Sequence, residues 1–268
     1  MENYQSEEIK YIITEDELLS QLRHLGIREG MTLEVHCAFS KLGPVIGGPT
    51  ALNNALIRAV GEDGNIVMAN QDYNNTEPLF WENPPIDFRL MKKVRENSLG
   101  FDVRSSALHL MGILVDEMRS RKDTSRSYHP NCAFIAYGKD AKYLMSNQPL
   151  SFPLGMKSPL GKMYAMDNVY TLLIGCDYDN CTSWHLAQYL SGCYGIIMQG
   201  GCVKKDGENQ WKKYLDYDID SHDFCSIGKL LEKNEMIKTG KLQDAVCKLF
   251  KMRETVDFAC DFLRSKYE

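Results

Sequence analysis

The sequence lacks the features that mark exported, membrane-spanning and nucleic-acid-binding proteins. No apolar run approaches the roughly 20 residues that a membrane helix needs. The first residues are acidic and polar, so we expect no secretory signal. No basic run is present, and 31 Lys and Arg against 36 Asp and Glu give a net charge of −5. These absences predict a cytoplasmic protein that binds neither nucleic acid nor membrane.

The usual signatures of metal sites and disulfide frameworks are also missing. The nine cysteines are odd in number and scattered, and none forms a Cys-x-x-Cys pair. No two of the six histidines have the His-x-x-x-His spacing of a metal-binding helix. We therefore expect reduced thiols and no metal. The pattern leaves a monomer and a homodimer both open.

What is present is a globular pattern of helices alternating with strands. Hydrophobic residues make up 44% of the 268 positions and charged residues 25%, which are ordinary globular values. Period and capping signals predict strands at residues 31–35, 65–69, 134–137 and 169–175, and helices at residues 14–25, 48–60, 106–118, 141–145, 227–233 and 242–264. We find no internal repeat and no linker. The prediction is an α/β fold, one domain over residues 1–268 with a central mixed sheet flanked by helices.

Residues 70–105 depart from this pattern because they are rich in Asn, Pro and aromatic residues. A long irregular stretch inside a compact chain is typical of a functional loop or lid on the substrate side. An irregular surface excursion packed by its own aromatics explains the composition equally well.

The sharpest candidate for chemistry surrounds His185. A predicted buried strand ends just before a loop that carries Asp177 and Asp179, and Thr182 can then cap a helix that contains His185 and Gln188. Ligands of open α/β sheets bind at the carboxyl ends of strands. The positive end of the helix dipole disfavours imidazolium, so His185 would be the neutral imidazole that a general base requires. A structural histidine is the alternative.

Weaker signals come from other histidines and from glycine loops. His129 precedes a proline, which holds it extended, and His36 follows a predicted strand. The glycines of residues 43–48 precede a helix, where free backbone N–H groups could approach a phosphate. Residues 158–162 add a hydroxyl and an ammonium group. Rigid turns explain both glycine loops equally well, and the residues alone indicate an α/β enzyme with an anionic cofactor and a histidine base.

The order of these motifs resembles the aminoglycoside 3-N-acetyltransferase family over residues 18–262. The resemblance is carried by five segments in the same order, namely residues 36–48, 77–85, 126–130, 158–162 and 174–187. The family transfers an acetyl group from acetyl-coenzyme A to the 3-amino group of 2-deoxystreptamine antibiotics, which confers resistance.

The resemblance implies a role for each matching residue. The catalytic group would be His185 with Gln188 and Asp179, and His185 would take the proton of the attacking amine. The polycationic amino sugar would contact Glu77, Trp81, Asp177 and Asp179. Coenzyme A would be held by His36, Cys37, Ala38, Ser40, Lys41, Gly43, Gly47, Gly48, His129, Ser158 and Lys162. The Ser40 hydroxyl or loop N–H groups would stabilise the oxyanion.

Two positions depart from the family's pattern. The family usually has Glu three residues after the histidine, where this chain has Gln188, and commonly Ser where this chain has Cys37. An amide can orient an imidazole but cannot balance its charge, so Asp179 could partly replace the missing carboxylate. The alternatives are a catalytically weak homologue that binds coenzyme A or acetylates another amine, and a cysteine hydrolase that uses Cys181 with His185.

Overall fold

The computed structural model describes residues 8–104, 106 and 111–267. In this part of the chain the α-helices are α1 (Glu15–Leu25), α2 (Gly48–Val60), α3 (Phe88–Asn97), α4 (Ile113–Ser120), α5 (Ala141–Met145), α6 (Pro159–Ala165), α7 (Ser183–Ser191), α8 (Phe224–Lys233) and α9 (Met252–Tyr267). The strands are β1 (Thr32–Cys37), β2 (Asn65–Ala69), β3 (Ser125–Arg126), β4 (Phe134–Gly138), β5 (Val169–Ile174), β6 (Ile196–Lys205), β7 (Glu208–Tyr217), β8 (Lys238–Leu242) and β9 (Ala245–Lys251). None of the described helices is long and apolar enough to cross a membrane.

A seven-stranded mixed sheet forms the centre of the fold, in the order β3-β4-β2-β1-β5-β9-β8. The three central strands β2, β1 and β5 are parallel, and the outer strands pair antiparallel. β6 and β7 form a separate two-stranded hairpin. Because β1, β2 and β5 point the same way, their carboxyl ends meet at one edge, where open α/β sheets bind ligands.

Helices cover both faces of the sheet, as the sequence predicts. Alternation along β5 places Leu172 in the core formed with α1, α2 and α4, and Leu173 in the core formed with α5 to α9. Leu33 and Val35 of β1 belong to the first core, so Glu34 and His36 point toward the second face, where α7 lies. This alternation brings polar groups of β1 to the helix that carries His185.

Most of the elements predicted before residue 235 lie within a few residues of an observed one, but α3, α6 and the β6–β7 hairpin have no counterpart among the predicted elements. The Thr14–Glu17 capping box is formed on both sides, and Gly26 ends α1 in the left-handed region with φ 118°. The helix predicted over residues 106–118 begins at Ile113. Its residues 107–110, with His109, and the first seven residues of the chain lie outside the described residues.

The helix predicted over residues 242–264 is wrong in its first ten residues. Residues 245–251 form β9, which pairs with β5 and β8, and the helix begins at Met252. The sequence here alternates: Ala245, Cys247 and Leu249 are buried, while Val246 and Lys248 are less so. This period-two pattern runs directly into a true amphipathic helix, which extends the helical prediction over the strand.

The described part of residues 70–105 holds the helix α3 and packs on the β6–β7 hairpin. The Asn75 side chain donates to the Cys202 carbonyl at 2.9 Å and accepts from the Cys202 amide at 2.7 Å. The Phe101 amide also donates to the Cys202 carbonyl at 2.9 Å. These bonds fix the segment to the hairpin. Closure of a lid over substrate stays a prediction.

Candidate functional site

A cleft of about 300 Å³ opens at the carboxyl ends of β1, β2 and β5. Its walls include residues 35–38 after β1, Ala69 of β2 and Cys176 after β5. His185 and Thr182 contribute the start of α7, and Gly112 contributes the start of α4. The cleft therefore lies where the topology predicts a ligand site, and two helix N-termini face it.

His185 is oriented by a chain of two hydrogen bonds. The Gln188 amide nitrogen donates to the Asp220 carbonyl at 2.8 Å, which turns the amide oxygen toward the imidazole. That oxygen lies 2.7 Å from His185 Nδ1. Since an amide oxygen only accepts, Nδ1 carries the proton and donates. Nε2 is left with a free lone pair, as a general base requires.

The imidazole of His185 is also held in its neutral form. Its ring lies against Phe224 of α8, with the ring centroids 5.0 Å apart. Burial lowers the pKa of His185 below its ordinary value, against the hydrogen bond that Nδ1 donates to Gln188 and the charges of Glu34 and Asp220, which raise it. The third position of α7 adds the helix dipole, which acts in the same direction as burial.

A buried carboxylate, Glu34, lies on the β1 side of the site. Glu34 has no solvent exposure, and its Oε2 accepts from the Thr171 hydroxyl at 2.8 Å. Its Oε1 lies 3.3 Å from His36 Nε2, a nitrogen that the Thr182 amide also approaches at 3.4 Å. Burial raises the pKa of Glu34, but the His36 contact and the Ser183 and Thr171 hydroxyls outweigh it and hold the pKa below its ordinary value.

The two aspartates of the loop after β5 do not contact the imidazole. Asp177 pairs with Lys248 at 2.5 Å and accepts from the Tyr178 amide. Asp179 lies in the cleft wall, where its carboxylate accepts from Asn180 at 2.7 Å. Thr182 occupies the N-cap position of α7 but makes no side-chain capping bond. Asp179 is thus placed to meet a ligand rather than to orient His185.

His129 is fully buried and bonded on both ring nitrogens. Nδ1 accepts from the amides of Asn131 and Cys132 at 3.3 and 2.9 Å, so Nε2 carries the proton and donates to the Leu150 carbonyl at 3.0 Å. Burial lowers its pKa to about 4. These bonds give His129 a structural role in the turn.

The second glycine loop is also occupied by internal bonds. The buried Ser158 hydroxyl caps α6 by accepting from the amides of Leu160 and Gly161. The Lys162 ammonium donates to the carbonyls of Tyr143, Leu144 and Ser146. Both groups serve the packing of α5 against α6, and neither lines the cleft described above.

The other predicted coenzyme A residues divide into two groups. His36, Cys37 and Ala38 line the cleft. Ser40 and Lys41 are exposed in the short 3₁₀ turn that ends at Gly43, and Gly47 and Gly48 begin α2, beyond the lining.

The predicted substrate residues of the 70–105 segment turn away from the cleft. Glu77 is buried and forms an ion pair with Arg95 of α3. Trp81 donates from its indole nitrogen to the Thr76 hydroxyl at 2.9 Å. The same segment instead supplies Gln71 and Tyr73 to the cleft wall.

The thiols show no activation. Burial raises the pKa of Cys37 and of Cys181, and the Cys181 sulfur contacts the Ser183 hydroxyl at 3.3 Å. This environment does not support the cysteine hydrolase alternative. All nine cysteines are free. The described residues contain no group of three or more acidic, Cys or His side chains that could hold a metal, and the expectation of no metal stays a prediction.

Sequence reasoning missed Glu34, Gln71 and Tyr73. A signal existed for Glu34, because it interrupts a strand that the topology makes central and buried on both faces. Gln71 and Tyr73 carried no signal beyond their position just after β2.

Comparison with known proteins places these features in a family. The sequence profile described as aminoglycoside 3-N-acetyltransferase matches residues 35–264. The SPbeta prophage-derived aminoglycoside N(3')-acetyltransferase-like protein YokD of Bacillus subtilis is 38% identical over 93% of this chain and 90% of its own. Its crystal structure superposes with a TM-score of 0.91, covering 95% of this chain and 94% of that chain at 35% identity.

Two further relatives match a similar share of this chain. Aminoglycoside N(3)-acetyltransferase III of Pseudomonas aeruginosa is 29% identical over 95% of this chain and 94% of its own. The crystal structure of aminoglycoside acetyltransferase AAC(3)-Xa has a TM-score of 0.86 and 26% identity, covering 96% of this chain and 94% of that one.

Proposed function

This chain belongs to the aminoglycoside 3-N-acetyltransferase family and is an acyltransferase of that type, and we propose that it transfers acetyl from acetyl-coenzyme A to the 3-amino group of a 2-deoxystreptamine aminoglycoside, with His185 as the general base. The observation that carries the proposal is His185 Nε2, which is left unprotonated in the cleft by the Asp220–Gln188–His185 chain. Family membership supplies the reaction class.

The reaction we propose is direct attack of the amine on the thioester. The amine nitrogen forms a bond to the carbonyl carbon, and His185 Nε2 takes one proton from that nitrogen. The bond between carbon and sulfur then breaks, and the imidazolium returns the proton to the leaving thiolate. The products are the amide and free coenzyme A, with the base regenerated.

Three features of the cleft support this arrangement. The first turn of α4 begins at Gly112 and faces the cleft, so its free N–H groups suit the thioester oxyanion. His36, Cys37 and Ala38 line the wall where we place the donor's thioester. Asp179 offers an exposed carboxylate to a cationic sugar. Since Ser158, Lys162 and His129 are bonded internally, we leave them out of the proposed donor site.

The test is thiol release from acetyl-coenzyme A in the presence of a panel of deoxystreptamine aminoglycosides, with a no-acceptor control for the protein's nine thiols. We expect release that depends on the aminoglycoside and is lost in His185→Ala. His24→Ala is the matched control, because His24 is an exposed histidine of α1. NMR of the product should place the acetyl group on the 3-amino nitrogen. Acetylation at another nitrogen contradicts the proposed position.

The pH profile gives a second check. Since the pKa of His185 is held below its ordinary value of 6.5, kcat/KM should show a rising limb whose midpoint lies below pH 6.5. The substrate amine must also lose its proton, so a limb at the amine's own pKa is expected as well. The lack of any limb below pH 6.5, with a limb at higher pH that does not match the pKa of the amine, would point to a different base.

The uncharged Gln188 favours one second candidate, a weak homologue that binds coenzyme A without efficient transfer. An amide does not balance the imidazolium that forms during the reaction. Binding of coenzyme A in calorimetry, without thiol release for any aminoglycoside, would support this candidate and overturn the first.

A further inference from the structure

Glu34 is a carboxylate without solvent exposure whose charge is only partly satisfied. One oxygen accepts from the Thr171 hydroxyl at 2.8 Å. The other oxygen, Oε1, is buried and has no hydrogen-bond partner among the described residues, although His36 Nε2 lies 3.3 Å from it. Natural proteins rarely bury such a group without a use for it.

Two short paths connect Glu34 to the start of α7. The Thr171 hydroxyl that holds the carboxylate lies 3.0 Å from the Ser183 hydroxyl, and Ser183 begins the helix that carries His185. On the other side, the His36 Nε2 that lies 3.3 Å from Glu34 Oε1 is 3.4 Å from the Thr182 amide nitrogen. Glu34 is therefore packed under the first turn of α7, on the same face of the sheet as the imidazole.

The charges that act on the imidazole come from three side chains on two segments of the chain. Glu34 and His36 belong to β1, and Asp220 belongs to the segment after β7. Glu34 raises the pKa of His185, as Asp220 does more weakly, while His36 lowers it. The thiol of Cys181 also lies in the field of Glu34. Asp220 is exposed and pairs with His222, so its field is screened by water. Glu34 has no such screening.

We propose that Glu34 is a positioning residue of the acetyl transfer, whose buried carboxylate stabilises the imidazolium that forms when His185 takes the proton of the attacking amine. The proposal rests on the proposed function for the reaction in which that imidazolium arises. Gln188 fixes the tautomer, and Glu34 supplies the negative charge that an amide lacks. A single carboxylate could both orient the imidazole and balance its charge. Here Gln188 of α7 performs the first task and Glu34 of β1 performs the second.

The test is Glu34→Gln, which keeps the size of the side chain and an oxygen for the Thr171 hydroxyl but removes the charge. The pKa of His185 is measured by NMR in protein labelled at the histidines, with His185→Asn assigning the resonance. We expect the pKa of His185 to fall by about one unit, and kcat/KM on the acetyl transfer to fall about tenfold. Glu34→Asp keeps the charge and should retain most of the wild-type pKa.

A matched control is Glu117→Gln. Glu117 lies on α4, where it accepts from Asn53 and pairs with Arg121, outside the cleft lining. Its variant should lower stability without moving the pKa of His185. If Glu34→Gln does not fold, Thr171→Val takes its place. The loss of that hydroxyl disfavours the charged form of Glu34, so the pKa of His185 should again fall.

The outcomes separate this inference from the proposed function. An unchanged pKa of His185 in Glu34→Gln, with an active wild type, overturns the role of Glu34 alone. A lowered pKa with no acetyl transfer by the wild type leaves the electrostatic pairing standing and overturns the proposed function. A fall in pKa that Glu117→Gln reproduces would mean a general loosening of the fold and would overturn the role of Glu34.

Discussion

Replacing Gln188 by Glu exchanges one amide nitrogen for an oxygen in the middle of the Asp220–Gln188–His185 chain. Gln188 is buried, with 1% of its surface exposed. Its nitrogen donates to the Asp220 carbonyl at 2.8 Å and its oxygen accepts from His185 Nδ1 at 2.7 Å. An ionised Glu presents two acceptors, so the carbonyl loses its donor and faces a carboxylate oxygen.

The expected loss of unfolding free energy follows from the hydrogen bond to the Asp220 carbonyl that the variant lacks. Leaving a buried polar group without its partner costs about 1–3 kcal/mol. A protonated Glu restores the donor through its O–H, so the burial that disfavours the charge gives the variant a pH dependence. We expect Gln188→Glu to lose about 1–3 kcal/mol of unfolding free energy at pH 8 and much less at pH 5. The ionised form should also raise the pKa of His185.

The assay is urea unfolding followed by tryptophan fluorescence at both pH values, with NMR titration of the histidines. Gln148→Glu is the matched control. Gln148 accepts from the Ser127 hydroxyl at 2.6 Å and donates to the carbonyls of Cys132 and Pro153 at 2.8 and 2.9 Å. It should show the same loss of stability at pH 8 without the change at His185.

The refuting result is a Gln188→Glu variant with wild-type stability at pH 8 and an unchanged pKa of His185. That result would mean that the side chain at 188 does not make the Asp220–Gln188–His185 chain described above. The proton on Nδ1 would then lose its support, and with it the assignment of Nε2 as the base.

Three further predictions concern the fold around the site. Burial raises the pKa of Asp216 from 3.8 to about 6, so its contribution to the unfolding free energy is present below about pH 4 and lost as pH rises through 6. Asp216→Asn should be more stable than wild type by about 3 kcal/mol at pH 8 and equal to it at pH 3.5 in urea unfolding; equal stability at both pH values would contradict this. Burial lowers the pKa of His129 from 6.5 to about 4, so its stabilisation is present above pH 6.5 and lost as pH falls through 4. Between pH 7 and pH 4, the unfolding free energy of His129→Gln should therefore fall by about 3 kcal/mol less than that of wild type. Parallel curves of unfolding free energy against pH would refute the lowered pKa of His129. A Cβ at Gly228 would lie 2.1 Å from the Tyr178 ring, which stacks on Trp184. Gly228→Ala should lower the unfolding free energy by about 1–3 kcal/mol. A variant as stable as wild type would show that the Tyr178 ring can move aside.

Local signals in the sequence were sufficient for several elements before α8, although they did not predict α3, α6 or the β6–β7 hairpin. The capping box of α1, the glycines around α2 and the apolar run of β5 each specify their element without help from the rest of the chain. The strand β9 has an alternating pattern of its own, but an amphipathic helix follows it without a break, and only its pairing with β5 and β8 sets it apart as a strand. Tertiary pairing outweighs local preference in strands more than in helices.

The predicted site residues also fall into two groups, those that local spacing identifies and those whose surroundings only the fold reveals. His185 and Gln188 were predictable because one helical turn brings them together. Ser158 and Lys162 have residue types that suit an anion, but their bonds to nearby backbone groups became visible only with α5 and α6 in place. Residue type indicates what a group can bind, whereas its neighbours in space decide whether that group is free to do so.

Positions 188 and 34 differ in what they offer a negative charge. The inner end of the side chain at 188 meets a carbonyl oxygen, that of Asp220, which needs a donor and repels an anion. The side chain at 34 meets the Thr171 hydroxyl, with the Ser183 hydroxyl 3.0 Å beyond it, and both can donate. A neutral amide is therefore the group that position 188 tolerates, and a carboxylate is the group that position 34 can hold ionised. The charge that the imidazole needs is carried by the strand because the hydrogen-bond donors that an anion requires are there.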